Sequence, residues 1–179
     1  NLESAKKLLL KYGHVLNYEI YNSDFILTNS CVFKNYIFTD KKNKYDIVIM
    51  NPPYFKISKK SEYSRKMSDI IYGQPNIYAL FMAMGVRFLN SNGKLIAITP
   101  RSFCNGLYFK AFRKFYLSEV NFTHFHLFLT RDQLFKKDTV LQENIISVAS
   151  KKNSHKLITI SNSEKYNFQD KIEIKANKK

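Results

Sequence analysis

An apolar run, Tyr45–Met50 (YDIVIM), ends directly at Asn51-Pro52-Pro53-Tyr54. A short and continuously apolar run predicts a strand that is buried on both faces, as in a parallel sheet. Proline cannot donate to a strand ladder, so pairing must end at Pro52 and Pro53. Ligands of open parallel sheets bind at the carboxyl ends of the strands. The sequence therefore predicts a rigid polar turn at the edge of a sheet where a ligand site is expected.

The elements on either side of this turn predict an α/β layered sheet, because strand patterns alternate with helix patterns. Helices are predicted over 2–12, 77–89 and 107–118, and Asn76 is the predicted N-cap of the second. Strands are predicted over 94–100, 122–129, 144–150 and, weakly, 156–161. A further strand is predicted from residue 15 to near Asp24. The polar and basic residues 55–75 are interpreted as a long surface loop. A chain of 179 residues is long enough for one domain and short for two.

Composition limits the class of protein. The hydrophobic fraction of 45% favours a folded chain. No apolar run approaches the roughly 18 residues of a membrane span, and no signal-peptide pattern opens the sequence. Cys31 and Cys104 are far apart and lack ligand-like neighbours, which predicts free thiols, no metal site and a cytoplasmic location. The net charge of +15 favours a nucleic-acid partner, although a lysine-rich composition can also arise from an AT-rich genome.

The Asn51-Pro52-Pro53-Tyr54 turn has the groups needed to activate an exocyclic aromatic amine. Such an amine is a poor nucleophile, because its lone pair is delocalised into the ring. The Asn51 side-chain oxygen and the Pro52 carbonyl could accept its N–H groups and aim the lone pair at an electrophilic methyl group. Tyr54 offers an aromatic face on which the base could stack. A rigid turn with no chemical role is the alternative interpretation.

These residues and their surroundings resemble a known family. DIVIMNPPY resembles motif IV of the gamma-class amino-methyltransferases, the adenine-specific DNA methylases of type II and type IIG restriction–modification systems. Tyr21–Phe25 is similar to motif III, Asn76–Phe81 to motif V, and 93–103 (GKLIAITPRSF) to the motif VI strand. Phe135, followed by VLQENII, resembles motif VIII. The motifs follow one another in the family's order over residues 1–150.

The resemblance implies roles for individual residues. Asp24 would accept a hydrogen bond from the adenine amino group of the cofactor S-adenosylmethionine, with Phe25 and Phe81 against the same ring. Phe135 would cover the second face of a flipped adenine, with Leu134 as the rival if the register differs by one. Basic residues after the turn would contact DNA phosphates, or form only a solvated charged loop: Lys56, Lys59, Lys60, Arg65 and Lys66. His124 and His126 are expected on the solvent face of their strand.

One departure from the family affects the whole interpretation. Nothing before Asp24 resembles the glycine-rich motif I or the acidic motif II, and the chain has only five glycines. The resemblance therefore implies a partial Rossmann-like class I methyltransferase sheet, with helices on both faces and its first strands missing. Residues 1–150 would be the catalytic-motif portion (motifs III to VIII). Residues 151–179 would be a polar tail, the candidate start of a target-recognition region.

The predicted function is site-specific N6 methylation of a flipped adenine in double-stranded DNA, within a restriction–modification system. S-adenosylmethionine would be the methyl donor, and no metal or membrane is expected. The isolated chain is expected to be inactive, with an upstream methylase portion or a specificity subunit as a further partner. Methylases of RNA bases and of release-factor glutamine share the Asn-Pro-Pro-Tyr sequence and stay as alternatives. A non-enzymatic fragment that only binds DNA or a partner is another.

Overall fold

The structure, a computed structural model, describes residues 2–13, 17–31, 44–129, 143–151, 157–164 and 168–177. Its helices are α1 (Leu2–Lys11), α2 (Phe25–Thr28), α3 (Glu62–Lys66), α4 (Ile77–Arg87) and α5 (Lys110–Glu119). Its strands are β1 (Tyr45–Met50), β2 (Leu89–Pro100), β3 (Val120–Phe128), β4 (Asn144–Lys151), β5 (Leu157–Ser163) and β6 (Ile172–Asn177). Within these ranges no helix is long and apolar enough to cross a membrane.

The described strands form one sheet in the order β1-β2-β4-β3-β5-β6. β1 and β2 run parallel, and their ladder ends where Met50 lies opposite Ala97. β4 is antiparallel to both β2 and β3, whereas β3 and β5 are parallel. Because β1 and β2 are parallel, the turn after Met50 lies at the same end of the sheet as the carboxyl end of β2. The predicted α/β class is confirmed.

Helices α4 and α5 pack on the face of the sheet that carries Leu95 and Ala149. Gly85 allows α4 to approach β1 and β2 closely, since a Cβ at this position would lie 2.5 Å from Met50 Cε and 2.8 Å from Leu95 Cδ1. In α5, the Tyr116 ring stacks on Phe122 of β3 at 5.3 Å. Asn76 caps α4, as predicted, by accepting from the Tyr78 N–H.

Strand β1 is not buried on both faces, contrary to the prediction. Val48 and Met50 pack against the core, but Ile47 and Ile49 on the opposite face are 57% and 74% exposed. Among the described residues β1 pairs only with β2, so it forms an edge of the sheet. Its apolar sequence is typical of an inner strand that is covered on both faces, but in the described structure only one face of β1 is covered.

The prediction of a strand that ends near Asp24 is also wrong for residues 17–24, because these residues form no ladder. A strand needs a neighbour for its backbone groups, and residues 17–24 have none within the described part of the chain. A cleft of about 530 Å³ lies between them and β1, lined by Tyr21 and Phe25 on one side and Tyr45 and Ile47 on the other. Asp24 instead begins helix α2 as its N-cap residue.

Two regions contain more regular structure than the sequence analysis predicted. Residues 55–75 are not a simple surface loop: they contain α3 and a short 3₁₀ turn, and they bury Ile57, Met67 and Ile70 in the core. These few apolar residues stand among many polar and basic ones, which is why the segment was interpreted as a loop. The polar tail after residue 150 adds β5 and β6 to the sheet, and the sequence analysis missed β6.

His126 is buried, so its predicted place on the solvent face of the strand is wrong. It lies opposite the helix-covered face and is enclosed by residues of β5: its Nδ1 is 2.9 Å from Ser161 Oγ and its Nε2 is 3.0 Å from Ser163 Oγ. His124 Nε2 lies 3.0 Å from the same Ser161 hydroxyl and is half-buried. Burial lowers the pKa of both histidines. The added strand β5 explains the difference, because it covers side chains that would otherwise face water.

The two fully buried tyrosines of the core predict opposite effects of hydroxyl removal. The Tyr116 hydroxyl has no hydrogen-bond partner in the described structure, whereas the Tyr78 hydroxyl lies 2.8 Å from Ser102 Oγ. An unpaired buried hydroxyl costs about 1–3 kcal/mol, and a satisfied one contributes about 0.5–1.5 kcal/mol. Tyr116→Phe should therefore leave the free energy of unfolding unchanged or raise it, while Tyr78→Phe lowers it. Urea denaturation measures both, and the reverse order would contradict this packing.

Candidate active site

The tyrosine of the Asn51-Pro52-Pro53-Tyr54 turn fastens the turn to the neighbouring strand. The Tyr54 hydroxyl lies 2.8 Å from Asn51 Oδ1 and 2.8 Å from the Ile98 carbonyl oxygen of β2. Ile98 comes directly after the last pair of the β1–β2 ladder. Burial raises the pKa of Tyr54 to about 12, so the hydroxyl keeps its proton and can donate at neutral pH. The hydroxyl thus continues the link between β1 and β2 beyond their backbone ladder.

Asn51 is held from one side and open on the other. Its side chain is exposed, and Pro52 behind it is buried. A side-chain carbonyl oxygen has two lone pairs, so Asn51 Oδ1 can accept from Tyr54 and from a second donor. The Tyr54 ring meets Tyr78 edge-on at 6.2 Å and 87°, which fixes the ring from behind. The turn therefore presents a fixed acceptor at the edge of the sheet.

The chain after the turn is bound to the start of α4. The Ile57 N–H donates to the Pro75 carbonyl at 3.0 Å, and the Ile77 N–H donates to the Phe55 carbonyl at 3.0 Å. Three segments that resemble family motifs, those around residues 51, 76 and 98, are therefore adjacent in the fold.

Asp24 is engaged through both carboxylate oxygens. Its Oδ1 accepts from the Leu27 N–H at 2.8 Å, which caps α2. Its Oδ2 accepts from the Tyr63 hydroxyl at 2.6 Å. Tyr63 lies on α3 in the segment that the sequence analysis interpreted as a loop, so its contact was missed. The Ser61 N-cap before it, followed by an acidic first turn, was the available signal.

Phe25 and Phe81, the predicted cofactor-stacking residues, are in contact with each other. Their ring centroids are 5.4 Å apart and the rings are inclined by 28°. Phe25 also approaches Phe88 at 5.7 Å. The structure thus brings together all three residues for which the resemblance implied a place beside the cofactor adenine, because Asp24 directly precedes Phe25 in the chain. Asp24 is exposed and the two rings are half-buried.

The five basic residues after the turn are all exposed: Lys56, Lys59, Lys60, Arg65 and Lys66. Phe135 and Leu134 lie outside the described residues. The strands that precede and follow them are placed, however: β3 ends at Phe128 and β4 begins at Asn144. Asn144 lies opposite Pro100. The chain therefore leaves β3 and enters β4 at the same end of the sheet as the Asn51-Pro52-Pro53-Tyr54 turn.

The described ranges contain no group of three or more His, Cys, Asp or Glu side chains that could hold a metal ion. Cys31 and Cys104 are free thiols.

Comparison with known proteins identifies the family. The sequence profile described as Eco57I restriction-modification methylase matches residues 3–135, three quarters of the chain. The chain belongs to the Eco57I restriction-modification methylase family. This confirms the resemblance found in the motifs. The Type II methyltransferase M.PstI of Providencia stuartii is 40% identical to this Eco57I-family chain over 148 residues, which are 81% of the chain and 28% of M.PstI.

Solved structures share the fold. The methyltransferase subunit of a type I restriction-modification system from Streptococcus thermophilus matches with a TM-score of 0.60 and 18% identity, over 86% of this chain and 32% of that protein. The type IIL restriction-modification enzyme MmeI, solved in complex with DNA, matches with a TM-score of 0.61 and 16% identity, over 95% of this chain and 24% of MmeI. The chain therefore spans about a third or less of the length of the proteins compared, and it has their methyltransferase fold.

The bond between Asp24 and helix α2 predicts an effect on stability. Replacing an N-cap acid by Ala costs about 0.5–2 kcal/mol, whereas Asn is about as good a cap as Asp. Asp24→Ala should therefore lower the free energy of unfolding by about 1 kcal/mol or more. Asp24→Asn is the matched control and should cost less. Equal losses for the two variants in urea denaturation would show that the cap contributes nothing.

Proposed function

We propose that this chain carries the catalytic segment of a site-specific DNA methyltransferase of a restriction–modification system. The reaction is transfer of a methyl group from S-adenosylmethionine to the exocyclic N6 of an adenine extruded from duplex DNA. The observation that carries the proposal is the Asn51 side chain, held 2.8 Å from the Tyr54 hydroxyl at the carboxyl edge of the sheet in a chain of this family.

The turn can activate an amine by geometry alone. Asn51 Oδ1 and the Pro52 carbonyl would accept the two N–H groups of the target amine. Both acceptors are preorganised, the first by Tyr54 and the second by the proline backbone. Fixed acceptors that favour the reacting geometry lower the barrier without reorganisation during the reaction. Transfer would form the N6–methyl bond and break the bond between the methyl carbon and the sulfonium sulfur, so S-adenosylhomocysteine would leave and N6 would release one proton to water. The turn would hold the nitrogen with its lone pair directed at the methyl group.

The residues around Asp24 fit the adenine end of S-adenosylmethionine. The exposed Asp24 carboxylate can accept from an amino group, and Phe25 and Phe81 beside it offer aromatic surface for a purine. When bound, S-adenosylmethionine supplies the electrophilic methyl group. The basic residues between Lys56 and Lys66 would contact DNA phosphates, and Phe135 would cover the extruded base.

Asn51→Ala should abolish methyl transfer to DNA in the complete gene product that contains this chain. Loss of one preorganised polar contact to a transition state lowers the rate by about 10²–10³-fold. Methyl transfer from labelled S-adenosylmethionine would be measured on duplex DNA, on ribosomal RNA and on a release factor, which separates the three substrate classes. Asn121→Ala is the control, because Asn121 is exposed at the opposite edge of the sheet, opposite Ser150. Near-normal transfer by Asn51→Ala would exclude the catalytic role.

Phe135→Ala should weaken the hold on the extruded adenine, since base–aromatic stacking contributes about 1–3 kcal/mol per base. A fluorescent adenine analogue at the target position reports the unstacked base. Emission in the complex with DNA should differ between Phe135→Ala and the unchanged protein. Leu134→Ala, the neighbouring residue, should leave emission unchanged. A change with Leu134→Ala alone would move the assignment to that residue.

The 179-residue chain by itself should bind S-adenosylmethionine weakly and should not methylate DNA. The residues around Asp24 are assigned to the adenine end of the cofactor. No described residue is assigned to its ribose hydroxyls or to its methionine carboxylate and ammonium groups. Each lost hydrogen bond to a charged group costs about 1.5–3 kcal/mol. Calorimetry of the isolated chain with the cofactor measures the affinity. Micromolar binding would show that these 179 residues contain a complete cofactor site.

A further inference from the structure

Tyr63 connects the segment after the catalytic turn to the residue proposed to bind the cofactor adenine. Its hydroxyl donates to Asp24 Oδ2 at 2.6 Å, between residues 39 positions apart in the sequence. This length is typical of a bond from a hydroxyl to an ionised carboxylate. The second oxygen, Oδ1, accepts from the Leu27 N–H at 2.8 Å. Two donors on different elements therefore fix both the position and the plane of this carboxylate.

The position of Tyr63 is itself well fixed. Its ring packs against the core, and α3, on which it lies, is capped by Ser61. The buried Ser64 hydroxyl on the same helix donates to the Ser58 carbonyl at 2.7 Å. The hydrogen bond to Asp24 raises the pKa of Tyr63, so its hydroxyl stays protonated as a donor. Helix α3 thus presents a hydroxyl of fixed direction to Asp24.

A carboxylate has about four lone-pair sites, and the described donors occupy one on each oxygen. The sites left over face directions that Tyr63 and Leu27 determine. Asp24 is exposed and can accept one more donor there without losing either bond.

We infer that Tyr63 is a positioning residue for the cofactor, which orients the Asp24 carboxylate toward the 6-amino group of the adenine ring. The inference rests on the proposed function. The oriented Asp24 carboxylate is a hydrogen-bond acceptor. It therefore favours binding of a purine with an amino group at position 6 over a purine with only hydrogen there. Tyr63 therefore contributes to cofactor affinity and to cofactor selectivity, and does not contact the reacting atoms.

The test uses Tyr63→Phe in the complete gene product, because phenylalanine keeps the ring packing and removes only the hydroxyl. The Kd of S-adenosylhomocysteine should rise about tenfold, as expected for one hydrogen bond. The effect on turnover should appear in KM for S-adenosylmethionine and not in kcat. For the S-adenosylhomocysteine analogue with hydrogen in place of the 6-amino group, the variant and the unchanged protein should bind equally. Tyr72→Phe, an exposed tyrosine in the same segment, is the control.

The outcomes separate this inference from the proposed function. Equal affinities of Tyr63→Phe and the unchanged protein for S-adenosylhomocysteine would overturn it, and so would an equal loss for both nucleosides, which indicates a purely structural role. Loss of DNA methylation in Asn51→Ala would still support the proposed function in either case. If Asn51→Ala stays active, the proposed function fails, whatever the cofactor affinities are.

Discussion

The hydroxyl of Tyr54 makes the contact on which the candidate site depends. It lies within hydrogen-bonding distance of Asn51 on its own turn and of the Ile98 carbonyl on the adjacent strand. The β1–β2 ladder stops one residue before Ile98, and the prolines that stop it cannot donate backbone hydrogen bonds. Without this side chain the turn would keep its buried Pro52 and the hydrogen bonds between the chain after it and the start of α4, but it would lose its link to β2. The residue proposed to offer an aromatic face to a base thus also contacts the Asn51 side-chain amide.

The rest of the site is assembled on the packing behind this turn. Gly85 brings α4 close to β1 and β2, and Asn76 starts that helix at the same edge of the sheet. Phe81 on α4 then meets Phe25, and the segment between the turn and α4 places Tyr63 against Asp24. Each connection joins residues from different sequence motifs. The segment that contains α3 therefore contacts both the target side and the cofactor side of the proposed site.

Sequence patterns predicted the elements whose local signals agree with their packing. Asn76 before an apolar helix and Asn-Pro-Pro after an apolar strand were sufficient to place α4, β1 and the turn. The pattern failed where a neighbour decides the outcome. Ile47 and Ile49 suit an inner strand, but they are exposed on an edge strand. Residues 17–24 have a strand-like composition, but no described strand pairs with them. His126 alternates like a solvent-facing residue, yet β5 covers it.

The contacts that complete the site were beyond sequence reasoning for a related reason. A hydrogen bond such as that between Tyr63 and Asp24 depends on how α3 folds back across the chain, and no local pattern encodes the distance between the two residues. The roles of Asn51 and Asp24, in contrast, were predicted from the resemblance of their motifs to those of the family, and the family itself is shown by the match over residues 3–135. Their chemistry stays a proposal that the geometry favours.

The central claim is that the turn at Asn51 directs methylation to the amino group of adenine. The most direct measurement is the nucleoside composition of DNA from cells that express the complete gene product, obtained by enzymatic digestion and mass spectrometry. The account predicts N6-methyladenine at a level above that in cells without the gene. The appearance of N4-methylcytosine in its place, or unmodified DNA accompanied by a newly methylated RNA or protein, would contradict it.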